Sequence, residues 1–327
     1  MDKSSNKVLF INIDFYEYNS RIIKTMVELG YDVDIFCQDP KLNLWDKVCK
    51  GIVHGYELNK SIEMQKRFID SLENKKVKYD FIFVIKGDKL EANFLKRLKE
   101  LNPNAKMVLY LWDDIKRIPN FFSNRMFFDK IYTFDRYDMK EYNLEFLPLF
   151  FCKDFVYNDN KKTIDVYFSG WDHSDRREIL ERMRTFFLDN HLNYYYYIYT
   201  GRGAVFRRKL KQLDFKKEPE YIKYKTLSLD KNAELTKSSK VLIDIQHPSQ
   251  KGLTMRTFEA LASKSKLITT NKDIMNYDFY TSDNIAVIDR ENPMIDLDFF
   301  ISPYQEIGME IVEKYSLENW VKTIFNH

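Results

Sequence analysis

The chain has 327 residues, enough for two α/β domains of about 150 residues each. Hydrophobic residues make up 44% and charged ones 31%, with 16% aromatic, which excludes a disordered chain. A net charge of +3, from 52 basic and 49 acidic side chains, excludes a global field that would draw the protein to nucleic acid, so any bound anion must be met by local charge.

Val8 to Ile13 reads as a strand, and Ile22, Ile23, Met26, Val27 and Leu29 recur at helical spacing until Gly30 stops the helix. Asp32 to Phe36 begins a second strand. Asp80 to Ile85 (DFIFVI) is a buried strand, Glu91 to Leu101 a helix ended by Asn102-Pro103, and Lys106 to Leu111 (KMVLYL) the next buried strand. Lys130 to Thr133 is one more short strand. Phe146-Leu147-Pro148-Leu149 is extended, with a proline that a central strand would not accept, and marks the interdomain crossover. After the polar stretch Asn158 to Lys162 the alternation restarts, with strand Ile164 to Phe168, helix Arg176 to Asn190, strand Tyr194 to Tyr199, strand Lys240 to Ile245, helix Met255 to Ala262 and strand Lys266 to Thr270. Pro303 to Phe325 reads as helical, and the C-terminal helix is expected to pack back on the N-terminal domain. The expectation is two Rossmann-like, doubly wound α/β domains facing across a cleft, residues 1–150 and 151–327, divided near residues 148 to 163.

The three cysteines, Cys37, Cys49 and Cys152, match neither a zinc spacing nor a disulfide framework and read as reduced thiols. Met1 to Lys7 is polar, without the regions of a signal peptide, and no apolar run approaches the roughly 18 residues that span a bilayer. Cytoplasmic residence is therefore expected, with peripheral contact on the inner face of a membrane left open.

In open parallel sheets, ligands bind beyond the carboxyl ends of the strands. Those positions hold Asn12, Asp14 and Tyr16, then Gly87 and Asp88, then Trp112, Asp113 and Asp114 in the first half. In the second half they hold Ser169-Gly170-Trp171-Asp172, Thr200-Gly201-Arg202-Gly203, and Gln246 through Arg256. Asp113 and Asp114 are the candidate catalytic bases, since an indole that excludes water raises a carboxylate toward the range useful for deprotonating a hydroxyl. Capping the turn that follows is the alternative role. Gly201 and Gly203 suggest a tight turn near phosphates; with Phe206 at the third glycine position they do not make a dinucleotide fingerprint.

Val241 to Asn271 carries the most chemistry. A buried strand ends in a loop with His247, Lys251 and Gly252, and Leu253-Thr254 leads into a helix bearing Arg256 and Glu259. Amides at the helix start receive phosphate oxygens, Lys251 and Arg256 add positive charge, and Glu259 accepts from ribose hydroxyls. The competing role for Arg256 and Glu259 is an exposed ion pair, worth under about 1 kcal/mol. His54, His173, His191 and His327 show no ligand spacing, no Asp-x-Asp motif stands at a strand end, and neither a metal nor a cofactor is expected.

The segment Lys251-Gly252-Leu253-Thr254 through Phe258-Glu259-Ala260-Leu261-Ala262 resembles the nucleotide-sugar signature of GT-B glycosyltransferases. It looks closest to the bacterial enzymes of capsule and lipopolysaccharide assembly and to the spore-maturation group. Arg256 matches the arginine three residues before their glutamate, and Glu259 matches their ribose-binding glutamate. The closing helix with Trp320 is similar too. The resemblance departs at Lys251, where the retaining family with paired glutamates has an acid, so that family's stereochemical rule does not carry over.

What the resemblance implies is transfer of a sugar from a nucleotide-sugar donor to a glycan or lipid-linked saccharide acceptor without a metal ion. Gly170, Thr200, Gly201, Arg202, His247, Lys251, Gly252, Leu253, Thr254, Arg256 and Glu259 would bind the donor. Two other functions stay open on sequence: a nucleotide-sugar epimerase of the same fold, and a non-catalytic nucleotide-binding regulatory module.

Overall fold

The computed structural model describes residues 6–14, 17–159, 161–203, 205, 210 and 218–325. Met1, Tyr16, Phe206 and His327 lie outside the described residues. The chain divides into two compact units: one runs through Pro148 and takes in the chain from Val321 onward, and the other is Leu149–Trp320.

The first unit is built on a six-stranded sheet in the order β2-β1-β3-β4-β5-β6, all parallel. The strands are β1 (Lys7–Asn12), β2 (Asp32–Cys37), β3 (Phe81–Ile85), β4 (Lys106–Leu111), β5 (Lys130–Thr133) and β6 (Glu145–Phe146). The central strands β1, β3 and β4 are apolar in their interiors, Val8–Ile11, Phe81–Ile85 and Met107–Leu111, because helices cover both faces of a parallel sheet. One face packs Leu9, Ile11, Ile82, Val84, Leu95, Leu98, Met107 and Leu109 into a continuous core. The other includes Phe10 stacked on Phe83, their ring centroids 5.3 Å apart. Helix Tyr18–Glu28 joins β1 to β2, ending at Gly30 with φ +90°, and the chain then returns past β1 to begin β3. Strand order thus reverses between β1 and β3. Pro148 follows the edge strand β6, which fits its inability to donate to a ladder.

The second unit repeats the plan with order β12-β11-β10-β7-β8-β9, again all parallel. Its strands are β7 (Ile164–Trp171), β8 (Tyr194–Tyr199), β9 (Ile222–Lys223), β10 (Ser239–Asp244), β11 (Lys266–Thr269) and β12 (Ile285–Val287). Strand order reverses here between β7 and β10. Val166, Phe168, Ile198, Val241, Ile243 and Ile268 form the core beneath helix Arg176–Asp189.

Two sequence expectations are corrected. β7 runs three residues past Phe168, because Ser169, Gly170 and Trp171 stay paired with Tyr197, Ile198 and Tyr199 and the Trp171 and Tyr199 rings meet edge-on at 4.3 Å. Ser169, Gly170 and Trp171 therefore belong to the strand, not to a loop after it. Pro303 to Phe325 is not one helix either. Residues 303–308 are non-helical, helices Met309–Lys314 and Leu317–Phe325 follow, and Ser316 between them bridges to Phe151.

Candidate functional site

The reversal of strand order between β7 and β10 is where a doubly wound sheet opens a crevice at its carboxyl edge. Two arginines occupy it. Arg176, at the first position of its helix, donates through Nε and Nη2 to the Ile245 carbonyl (2.9 and 2.5 Å) and through Nη1 to the Trp171 carbonyl (2.6 Å). It therefore ties the end of β7 to the residue after β10. Burial lowers its guanidinium to about 10, Asp244 opposing and Arg256 and Arg290 assisting. Gly170 makes room for it: a Cβ there would stand 3.0 Å from Arg176 Nη1 and 3.0 Å from the Phe168 ring.

The second is Arg256, on the first turn of helix Met255–Ala262. Its Nη2 donates to the Ser169 carbonyl at 3.0 Å and to the Ser169 hydroxyl, and its guanidinium lies 5.6 Å from the centre of the Tyr167 ring. Glu259 stands one turn on, its Oε2 3.7 Å from Arg256 Nε, with the two side chains 12% and 2% exposed. The exposed ion pair weighed on sequence is therefore not what these residues form, since Glu259 is buried and Arg256 is drawn against β7.

Thr254 precedes the helix with extended backbone and makes no side-chain cap. Its hydroxyl donates instead to Asp244 Oδ2 at 2.7 Å. Burial raises the Asp244 carboxyl, against the pull of Thr254, Arg176 and Arg256. Asn271, after β11, pins the loop by donating to the Lys251 and Gly252 carbonyls at 2.9 and 3.1 Å. Leu253 is buried, and Lys251 is exposed. Arg290 Nη1 donates to both carboxylate oxygens of Asp175 (2.7 and 2.9 Å) and its Nη2 donates to the Gln246 carbonyl at 2.5 Å, holding the loop start to the beginning of helix Arg176–Asp189. His247 faces His173, ring centroids 5.5 Å apart, and its Nδ1 meets the Ser249 hydroxyl at 2.8 Å. Burial first, then Arg176 and His247, depress His173 to about 4.

Thr200 is buried after β8, its amide donating to the Lys223 carbonyl at 2.9 Å. Arg202 is exposed and lies 5.8 Å from the Tyr224 ring centre. Gly201 and Gly203 avoid left-handed backbone, and a Cβ on either would meet nothing within 4 Å. Reasoning from sequence passed over Asp244, Arg176, Arg290 and Asn271. Only their place at strand and helix ends could have marked them.

Asp113 and Asp114 stand at the carboxyl edge of the first unit's sheet, after β4. Trp112 beside them is buried. Both carboxylates are ion-paired: Asp113 lies 3.1 Å from Lys86 Nζ and 3.9 Å from Arg117, and Asp114 lies 3.2 Å from Arg117 Nε. Neither caps the turn Ile115–Arg117, for the Ile115 amide donates to the buried Asp138 at 2.8 Å. Lys86 holds left-handed backbone (φ 66°) at the end of β3 and bridges Asp113 to Asp88, 3.2 Å away. Burial works against its charge, but Asp113 and Asp88 outweigh it and keep Lys86 above its ordinary value.

Among the described residues, no group of three or more His, Cys, Asp or Glu is placed to hold a metal ion, and no helix is long and apolar enough to cross a membrane.

No family model and no curated protein matches the sequence. Solved structures match along nearly the whole chain. HepE of Anabaena, solved with UDP and glucose, aligns with a TM-score of 0.61 at 9% identity over 98% of each chain. The catalytic domain of starch synthase IV from Arabidopsis thaliana, bound to ADP and acarbose, gives 0.57 at 9% identity, covering 98% of this chain and 96% of that one. The UDP-GlcNAc 2-epimerase of Methanocaldococcus jannaschii gives 0.55 at 12% identity, covering 98% and 100%. With its two six-stranded parallel Rossmann-like units, the chain has the GT-B fold, which glycosyltransferases share with these epimerases.

Proposed function

We propose that the chain is a metal-independent glycosyltransferase that takes a sugar from a nucleoside diphosphate donor held by the second unit. The observation that carries this reading is the buried Arg256–Glu259 pair on the first turns of a helix that starts at the β7/β10 reversal. Helix amides with no side-chain cap and an arginine beside them suit a diphosphate, and a carboxylate one turn further suits the two hydroxyls of a ribose. Gly170, Thr200, Gly201, Arg202, His247, Lys251, Gly252, Leu253 and Thr254 complete the proposed donor site. Diphosphate charge grows as the glycosidic bond breaks, and Arg256 with the helix amides would stabilise it where other enzymes use a metal. Asp113 or Asp114, on the first unit's sheet edge, would take the proton of the acceptor hydroxyl. The acceptor proposed is a glycan or lipid-linked saccharide of the bacterial surface.

Titration calorimetry with UDP tests the donor site. Glu259→Ala should weaken binding by about 1 to 3 kcal/mol, the range for a lost hydrogen bond to a charged group. Arg256→Ala should weaken it more and also lower turnover, since its interaction strengthens toward the transition state. Two variants that bind UDP as wild type does would sink the assignment.

The likeness to UDP-GlcNAc 2-epimerase supports a second reading, in which the sugar is isomerised on its own nucleotide. Incubation with UDP-GlcNAc alone separates the two, because an epimerase yields an isomerised sugar without any acceptor. A nucleotide-binding module without catalysis would yield no product under either condition.

A further inference from the structure

Thr254 begins its helix with φ −86° and ψ 167°, the extended backbone from which a threonine hydroxyl ordinarily accepts from the second or third amide of a helix. Ser228 and Asn43 do this at the start of helices Leu229–Lys237 and Leu44–Ile52, where they accept from the Lys231 and Asp46 amides at 3.3 and 2.9 Å. Thr254 has the same backbone and makes no such bond; only the direction of its side chain differs. Its hydroxyl is turned to Asp244, the last residue of β10.

Stability alone does not explain that arrangement. A capping hydroxyl would stabilise the helix, and an apolar side chain at the end of β10 would avoid burying a carboxylate. Asp244 is buried all the same, with Arg176 and Arg256 acting against the effect of burial on its charge. What the arrangement achieves lies at the helix start. The first amides of a helix have no carbonyl one turn back to bond, and they carry the positive end of its dipole. The Thr257 amide reaches the Thr254 carbonyl at 3.2 Å, so a capping hydroxyl would bear on the Arg256 amide, beside the guanidinium assigned to the diphosphate. Holding the hydroxyl on Asp244 keeps it off that amide.

We propose, resting on the donor-site reading, that Asp244 is a positioning residue: it draws the Thr254 hydroxyl off the helix N-terminus and so keeps the first amides open to the donor's diphosphate. Asp244 acts through Thr254 and not on the substrate itself.

The test is calorimetric titration with UDP and, separately, with inorganic pyrophosphate, which offers the phosphates without the ribose. In Asp244→Val the hydroxyl is released to cap the helix, and both ligands should bind about fivefold more weakly, the equivalent of displacing a cap of about 1 kcal/mol at 1.4 kcal/mol per tenfold. Loss of a negative charge by itself would tighten both. Adding Thr254→Val, which has no hydroxyl to cap with, should make the double variant bind both ligands about threefold or more tighter than Asp244→Val, whereas damage to packing would be deepened by a second substitution. Asp244→Asn, close in shape to the native residue, serves if circular dichroism shows that the valine variant does not fold: it should lose less, and Thr254→Val should again relieve the loss. Weaker binding by Arg256→Ala beside unchanged or tighter binding by the Asp244 variant would overturn this proposal alone. So would a loss confined to UDP, or a double variant no better than the single one. A wild type that binds neither ligand would overturn the donor site along with it.

Discussion

At the scale of single residues, the chemistry proposed for this chain depends on charges with already assigned neighbours. Asp113 is no free carboxylate, since Lys86 stands 3.1 Å away on strained backbone. A base so held keeps its position but must release a cation's attention as it takes a proton. Asp113→Asn or Asp114→Asn should therefore cut turnover by about a hundredfold while UDP affinity stays near wild type, as steady-state kinetics beside calorimetry would show. Normal turnover in both variants would remove these residues from catalysis. His173 gives a pH prediction. Burial, helped by Arg176 and His247, holds its folded-state value at about 4, whereas an unfolded histidine titrates near 6.5. Between these values only the unfolded chain binds the proton, so stability is complete above about pH 6.5 and is lost as pH falls toward 4. The full shift corresponds to about 3 kcal/mol, less the screening a partly exposed ring receives. Urea midpoints measured at pH 6.5 and 4.5 should fall further in wild type than in His173→Gln; equal falls would show that the ring does not contribute.

At the scale of elements, long apolar strands were legible in the sequence, and short or mixed ones were not. β4, β5 and β8 stand at the expected bounds: β4 reads as a buried apolar run after Lys106, and the tyrosines of the half-buried β8 mark it by strand propensity. β6, β9 and β12 are two or three residues long and leave no run to read. Helix Tyr56–Lys75 escaped notice for another reason: its buried stripe is Ser61, Gln65, Ile69 and Leu72, half polar. Ser61 and Gln65 are buried because they bond the Gln38 and Lys89 carbonyls at 2.8 and 2.9 Å. The candidate site divides in the same way. Its local motif, Lys251 to Ala262, could be read directly, whereas Arg176 and Arg290 reach the same loop from distant segments. Lys162 makes such a junction at the opposite edge of the sheet. Its ammonium donates to the Ser239 and Ser263 carbonyls at 2.8 and 2.9 Å and to Ser265 Oγ at 2.8 Å, where helices Leu229–Lys237 and Met255–Ala262 end. Lys162→Met should cost about 1 to 3 kcal/mol by taking its donor from the Ser263 carbonyl, while the Ser239 carbonyl keeps the Ser265 hydroxyl, read as a lower urea midpoint. An unchanged midpoint would mean that water replaces the ammonium at no cost.

At the scale of the whole molecule, the last residues of the chain belong to the unit formed by the first. Helix Leu317–Phe325 begins in the second unit, where Trp320 is buried against Phe150 with ring centroids 4.7 Å apart, and its residues from Val321 on belong to the first. There Phe325 lies against Tyr31, Phe81 and Phe83, with centroids at 4.6, 5.0 and 5.8 Å, and the Thr323 carbonyl accepts from the Tyr132 hydroxyl at 3.1 Å. Tyr31 is buried enough to raise its phenol to about 12. The face of the sheet that carries Phe83 is thus finished by a segment more than two hundred residues away in sequence, which arrives only after the second unit has been made. Phe325→Ala removes a ring from this packed cluster and should cost about 3 to 5 kcal/mol, the range for a buried Phe truncated to Ala. The loss should be local. Amide hydrogen exchange should accelerate in β1, β3 and β4, while β7 and β10 keep wild-type protection and UDP affinity is retained. Equal acceleration in both sheets would instead mean that the units unfold together and that the C-terminal helix is a joint of one cooperative body. Unchanged exchange throughout would show that the aromatic cluster closes without it.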